Sequence, residues 1–280
     1  MPIYKCRSYA KINLFLDILS KEESGYHKLK MIMQSVSLYD DLIFEPIQRR
    51  RIELESNVPE INTNNIIHKA FEIYSDYFNE KMPNGFKVTI NKRIPLGAGL
   101  AGGSSNAAVA VGVFKKHFNL KIPKKILLEL NHKIGSDVNF CYVGGTKQVE
   151  GVGNVIKSLP KREAHVLLVY PSIHIASSEA YRLWDLRSTN NKTAEISESG
   201  LYNAFEKVML PMYPEIEKIK EDFSEAGATD VLMTGSGSTV FGVFSNKLMC
   251  ENGYKILIKK YKNIYNVRYI SKGFSINQYS

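Results

Sequence analysis

The chain predicts an α+β fold, and three observations carry that expectation. Strand-like and helix-like stretches follow one another irregularly, without the regular βα alternation of a parallel sheet. A glycine-rich loop, Pro95–Ser105, is preceded by the strand-like Phe86–Ile90 and followed at once by a small-residue helical segment, Ser104–His117. The 280 residues hold one large domain or two ordinary ones, with a break expected near Leu159–Arg162 and no internal repeat.

Taken in order, residues 4–18 alternate as a strand that ends in the apolar Ile12–Leu16, and a turn at Gly25 leads to a second strand, Leu29–Leu38. Asp40-Asp41 is read as a turn, with further strands at Leu42–Pro46 and Arg51–Leu54. Ile66, Ala70, Ile73, Tyr74 and Tyr77 have helical spacing, so Asn64–Phe78 is a helix with Asn62 and Thr63 as caps. Met82–Gly85 is a turn, and Pro123–Ile134 is a helix before the short segment Val138–Tyr142. Gly144-Gly145 turns the chain into a hairpin of Thr146–Val149 and Asn154–Ile156. A strongly apolar strand, His165–Tyr170, opens the second half. Helices Ser177–Trp184, Asn203–Leu210 and Pro214–Ala226 follow, with a polar loop at Ser188–Ser199. Asp230–Thr234 and Thr239–Phe244 pair as strands around Gly235–Ser238, and a helix Cys250–Lys262 and a strand Val267–Phe274 complete the chain.

Composition narrows the function classes. No apolar run is long enough to span a bilayer, and the opening residues carry no apolar signal core, so a cytoplasmic protein is expected. Cys6, Cys141 and Cys250 are odd in number and lack metal-ligand spacing; they read as free thiols, and no protein metal site is expected. The net charge of +9 keeps nucleic-acid binding in view, but the lysines are scattered without interleaved aromatics. Attraction of an anionic small substrate is the favoured reading, with neither nucleic acid nor membrane as a partner.

The glycine loop is the first chemical signal. Gly97, Gly99, Gly102 and Gly103 let backbone come close to a ligand, and the helix behind them presents unpaired N–H groups and a positive dipole end. This is an anion cradle suited to nucleotide phosphates, though it has neither the Gly-Lys-Ser/Thr ending of a Walker loop nor Rossmann spacing. Lys11 stands in an apolar strand, where an unpaired ammonium is costly. Tyr26 and His27 are displayed side by side after Gly25, where they could stack on and hydrogen-bond a flat base. Asp137 follows Gly135-Ser136 at a helix start, where the dipole favours its ionised form. Each also has a plain alternative: an outward strand lysine, an exposed turn, a helix cap. Gly235–Thr239 is either a second anion contact or a hairpin turn.

Together these elements resemble the GHMP kinases: a lysine-bearing first strand, a glycine-serine loop and a late Gly-x-Gly stretch in the family's order. Ala10–Leu14, Gly25–His27, Gly99–Asn106 and Gly135–Val138 are similar to one branch of that family. This branch phosphorylates 4-diphosphocytidyl-2-C-methyl-D-erythritol to its 2-phosphate in the non-mevalonate isoprenoid route. The resemblance implies a two-domain fold: a ribosomal-protein-S5-domain-2-like N-terminal domain over residues 1–160 that binds ATP, and a ferredoxin-like C-terminal domain over 161–280. It implies ATP with Mg²⁺, Lys11 and Asp137 as catalytic residues, and Pro95, Leu96, Gly97, Ala98, Gly99, Leu100, Ala101, Gly102, Gly103, Ser104 and Ser105 around the phosphates. Ser104 or Ser105 contacts the phosphates or the metal. Tyr26 and Tyr181 sandwich the cytosine, His27 reads its edge, and Asn13 holds the substrate near the reacting end. The enzyme would act as a monomer or homodimer. Ala101 stands where the branch has glycine, and Ser136 and Asn139 replace its alanine and proline around the acid. The alternatives are a GHMP kinase for homoserine, mevalonate or a sugar, and a basic nucleic-acid-binding protein.

Overall fold

Two antiparallel-rich sheets packed on each other, with helices on their outer faces, form the computed structural model, which describes residues 2–23, 25, 27–151, 153, 155–187 and 200–279. The first part of the chain forms β1 (Ile3–Lys21), β2 (His27–Ile47), β3 (Ile52–Ser56), α1 (Ile66–Phe78), β4 (Gly85–Asn91), α2 (Gly102–His117), α3 (Lys124–Ile134), α4 (Val138–Val143), β5 (Thr146–Gly151) and β6 (Val155–Ser158). There follow β7 (His165–Val169), α5 (Ser177–Arg187), β8 (Tyr202–Asn203), α6 (Glu206–Met209), α7 (Pro214–Glu225), β9 (Asp230–Met233), β10 (Val240–Phe244), α8 (Lys247–Leu257), β11 (Ile264–Arg268) and β12 (Phe274–Tyr279).

The long β1–β2 hairpin is the spine of the first sheet, ordered β12-β1-β2-β4-β3. Its second strand changes partner along its length: Leu29–Gln34 pair with β5, and Asp41–Ile47 pair with β4. The larger core lies between this sheet and α1–α3, with Phe44, Phe86, Tyr74 and Phe114 fully enclosed. The second sheet runs β11-β7-β10-β9. In β7, Val166 and Leu168 face a second core shared with Ile12, Leu14 and Val36 of the first sheet, and Leu167 and Val169 face the other way. Both faces of β7 are therefore dry, which accounts for its unbroken apolar run. The mixed architecture and its two sheets agree with the expected α+β class.

Five local expectations are corrected. Asp40-Asp41 is not a turn: β2 runs through it, because Asp40 falls on the same phase as Leu42 and Phe44 and its carboxylate is fully bonded there. The cap of α1 is Asn65, whose side chain accepts from Ile67 N, rather than Asn62 or Thr63. The helix expected over Asn203–Leu210 is helical only at α6, because Asn203 is held in β8 by bonds from its amide to Met233 O and Gly235 O. The expected strand Val267–Phe274 is two strands in different sheets. The chain crosses between them at Gly273, where a Cβ would collide with Cys141 O. The closing strand thus belongs to the first sheet. α8 also starts earlier than expected, at Lys247, where Asn246 caps it by accepting from Met249 N. The polar loop expected at Ser188–Ser199 lies outside the described residues.

Candidate active site

The glycine loop, the first strand, the start of α4 and the Gly235 loop converge on one cavity of about 950 Å³. This is at the upper end of clefts that bind small ligands. Pro95, Leu96, Gly97, Ala98, Gly99, Ala101, Gly102, Gly103 and Ser104 all line it, with Lys11, Asn13, His27, Asp137 and Tyr181. Tyr26 lies outside the described residues. Two expected loop contacts turn away from the cavity. Leu100 is buried in the core between the sheets, and the Ser105 hydroxyl donates to Tyr9 O at 2.7 Å. Ser104 is the loop serine that faces the open space.

The loop is shaped by backbone that side chains would obstruct. Gly99 has φ +75°, and a Cβ there would stand 2.3 Å from Thr234 O. Only glycine fits this left-handed conformation and this contact between the two glycine loops. α2 begins at Gly102 with no side-chain cap, so its first N–H groups are available to an anion. Lys11 N donates to Leu100 O at 3.1 Å, tying β1 to the loop.

Register shifts in the β1–β2 ladder fall between Tyr9 and Lys11 and between Asn13 and Phe15. Such bulges re-aim side chains, and Lys11 and Asn13 lie two apart on the short stretch between them. Lys11 Nζ donates to Asn13 Oδ1 at 2.7 Å and lies 3.5 Å from Asp137 Oδ2. Asp137 sits at the N-cap position of α4 yet makes no capping bond with its side chain. It remains 29% exposed, whereas the Lys11 side chain is 6% exposed. The buried ammonium thus has a carboxylate partner, and that carboxylate has lone pairs open to the cavity. Gly235 closes the other side, where a Cβ would lie 3.3 Å from Lys11 Nζ. Thr234 Oγ1 accepts from Asn13 N at 2.8 Å.

At the far end, the His27 and Tyr181 rings stack at 4.8 Å and 14°, with Phe205 edge-on to Tyr181. Burial, helped by the Asp137 charge, pushes the Tyr181 phenol upward, so it stays neutral. His27 Nε2 bonds Asp185 Oδ1 at 2.7 Å.

Several residues that build the site were not picked out from the sequence. Asp40 accepts from Lys92 Nζ, Arg93 N and Ile94 N, each at 2.7–2.8 Å, just ahead of the glycine loop. The Asn106 amide nitrogen, in the orientation that satisfies its neighbours, donates to Asp40 Oδ2 at 2.8 Å and Gly102 O at 2.6 Å. One carboxylate thereby anchors both ends of the loop. Its signal was available: position 40 continues the alternation of Leu42 and Phe44. Asn203 and Asp185 gave no comparable signal, since their roles depend on contacts far away in sequence. Among the described residues, no cluster of three or more His, Cys, Asp or Glu is arranged to hold a metal.

A nucleotide-phosphate cradle joined to a lysine–aspartate pair defines a small-molecule kinase, and comparison with known proteins agrees. The family model for the N-terminal domain of GHMP kinases matches residues 65–145, and that for the C-terminal domain matches 184–263. The chain belongs to the GHMP kinase family and is an ATP-dependent small-molecule kinase. It is 36% identical over 280 residues to 4-diphosphocytidyl-2-C-methyl-D-erythritol kinase of Clostridium botulinum (strain Eklund 17B / Type B), covering 94% of this chain and 99% of that one. With the kinase of the same name from Thermoanaerobacter pseudethanolicus it shares 35% identity, over 99% of each chain. A crystal structure of 4-(cytidine 5'-diphospho)-2C-methyl-D-erythritol kinase superposes with a TM-score of 0.80 at 25% identity, covering 95% of this chain and 98% of that one. Homoserine kinase from Cytophaga hutchinsonii shares the fold, with a TM-score of 0.74 at 14% identity over 98% and 97% of the two chains. Among the described residues, no helix is long and apolar enough to cross a membrane.

Proposed function

We propose that this enzyme transfers the γ-phosphoryl group of ATP to the 2-hydroxyl of 4-diphosphocytidyl-2-C-methyl-D-erythritol. The observation that carries the reading is the meeting of Lys11 with Asp137 in a glycine-lined cavity whose other end offers His27 and Tyr181. Relatives of that name match nearly the whole chain.

The residues fit a nucleotide. The backbone of Gly97–Ser104 along the cavity and the uncapped start of α2 suit phosphate oxygens. ATP supplies the phosphoryl group, and Mg²⁺ bound with it would offset the charge of the phosphate oxygens. Ser104, rather than Ser105, is the hydroxyl positioned for that complex. Asp137 accepts the proton of the acceptor hydroxyl, or orients that hydroxyl for attack. Lys11, beside Asp137, stabilises negative charge on the group in flight. Asn13 fixes Lys11 and contacts the polyol. His27 and Tyr181, with Tyr26, recognise the cytosine. The division between domains is placed near residue 160, with the closing strand returning to the first sheet. The reading includes a cytoplasmic monomer or homodimer that takes no nucleic acid.

The test is coupled ADP release on a panel of acceptors: cytidylated methylerythritol, methylerythritol 4-phosphate, homoserine, mevalonate and galactose. Turnover confined to the cytidylated acceptor supports the assignment. Faster turnover of any plain acceptor overturns it.

A further inference from the structure

The geometry points to Asp185 as a positioning residue that sets the tautomer of His27 and thereby makes the base site select cytosine over uracil. The inference rests on the proposed role of His27 in base recognition and adds a determinant outside the stretches that carried that proposal.

Lys21 and His27 are directly paired across the end of the β1–β2 hairpin, so their side chains share one face. Asp185 reaches them from α5, one helical turn beyond Tyr181, and its two oxygens divide between them. Oδ1 bonds His27 Nε2 at 2.7 Å, and Oδ2 accepts from Lys21 Nζ at 2.5 Å. Partial burial works to raise the Asp185 carboxyl, but the bonds from Lys21 and His27 outweigh it and hold the group below its ordinary range. An ionised carboxylate only accepts, so His27 Nε2 carries a proton, and when the ring holds a single proton Nδ1 is left bare. The His27 side chain is 6% exposed, and Tyr181 covers one face of its ring, so the plane of that ring is fixed as well.

The consequence is a difference between two pyrimidines. A base hydrogen-bonded in the plane of the imidazole lies nearly parallel to Tyr181, as stacking requires. Cytosine offers an amino group where uracil has a carbonyl oxygen. A bare Nδ1 accepts from the first and repels the second. With the opposite tautomer the preference would weaken or invert. Lys21 contributes by keeping Asp185 ionised and in place.

The experiment compares wild type, Asp185→Asn, Asp185→Glu and His27→Ala in the full-length enzyme. Acceptors are cytidine- and uridine-diphosphate-linked methylerythritol, and imidazole nitrogen NMR is recorded well above the ordinary histidine pKa. Wild type is expected to show a single His27 tautomer protonated at Nε2. Asp185→Asn is expected to mix the tautomers, raise KM for the cytidylated acceptor and reduce the cytidine-over-uridine preference, each by about tenfold or more. Its kcat and KM for ATP should stay within about twofold, and Asp185→Glu should restore much of the preference. An unchanged tautomer and preference in Asp185→Asn, beside a raised KM in His27→Ala, overturns the role of Asp185 alone. An unchanged KM in His27→Ala overturns the base-site reading, and the inference with it.

Discussion

Lys11 meets Asp137 at 3.5 Å on the cavity side of the glycine loop, and Lys92 meets Asp40 at 2.7 Å behind it. The residue types are the same, and both pairs adjoin one loop. They differ in what is left over. Asp40 is fully buried and also accepts from Arg93 N and Ile94 N, so its bonding capacity is filled by protein. Burial pulls the Lys92 ammonium below its ordinary range, and the Asp40 charge only partly restores it. Asp137 is partly exposed, makes no cap and has room to accept from a substrate. A filled pair can hold a loop in shape but can do nothing to a ligand. An unfilled pair contributes less to the fold and is available for chemistry.

Asp137→Asn removes the open carboxylate with little change of shape. Loss of a positioned acid–base group is expected to lower kcat by about 10²–10⁴-fold, with KM for ATP nearly unchanged and a loss of stability smaller than in the enclosed pair, since Lys11 keeps its bond to Asn13. Lys11→Met should act on the same step, so the double variant is expected to lose much less than the product of the two single effects. Steady-state kinetics on the three proteins decides this. A kcat within tenfold of wild type for Asp137→Asn would remove the distinction between the pairs.

For the enclosed pair the expected pattern reverses. Lys92→Met leaves the Asp40 carboxylate buried without its cation, which typically costs about 3–5 kcal/mol. Urea denaturation should show that loss, while kcat of the folded enzyme falls far less than in Asp137→Asn. Adding Asp40→Asn to Lys92→Met should recover part of the stability, because the uncompensated charge is then gone. A double variant less stable than the single one would mean that Asp40 anchors the loop mainly through Arg93 N and Ile94 N.

A third carboxylate, far from the cavity, calibrates the pH dependence. Asp222 is buried between α7 and the end of α8, accepting from Lys260 at 2.7 Å and from the Tyr261 hydroxyl. Burial works to raise its carboxyl, but the bonds from Lys260, Tyr261 and Lys218 hold it below the ordinary range. The unfolded chain therefore binds this proton at a higher pH than the folded one does, and the contribution to stability is lost as pH falls through the folded value. The stability difference between wild type and Asp222→Asn should be full at neutral pH and shrink as acid is added. A difference that grows toward low pH would contradict the assigned direction.

What could be read from the chain depended on how local the signal was. Gly97–Ser104 announced itself because glycine spacing and a following helix lie within a dozen residues, and Lys11 stood out as a charge in an apolar strand. The base end was only half legible. His27 adjoins a glycine turn, whereas Tyr181 and Asp185 belong to a helix whose partner strand ends are more than 150 residues away. Asp40 was misread for a different reason. An acid pair reads as a turn from propensity alone, and only the phase of the alternation places one of the two inside. The closing strand was misplaced because a crossing at Gly273 is set by the Cys141 carbonyl on a distant helix.

Ala101 offers the smallest and most local test. It fits in place of glycine, as the sequence suggests, but it takes φ +55° immediately before α2. A left-handed backbone at a residue with a Cβ costs roughly 1–2 kcal/mol, against a conformational-entropy penalty of about 0.5–1 kcal/mol for glycine in the unfolded chain. Ala101→Gly is therefore expected to stabilise the enzyme by about 0.5–1 kcal/mol, read as a rise in urea midpoint at constant slope. Because Ala101 also lines the cavity, KM for ATP reports whether its methyl group touches the nucleotide. If stability rises while KM for ATP stays constant, the strain is confined to the backbone. If KM rises with it, the methyl group forms part of the phosphate cradle, and the strained alanine is retained by a contact glycine cannot make. No gain in stability would mean that the fixed ends of the loop, at Asp40 and Asn106, impose the left-handed turn at a cost that glycine's extra freedom when unfolded cancels.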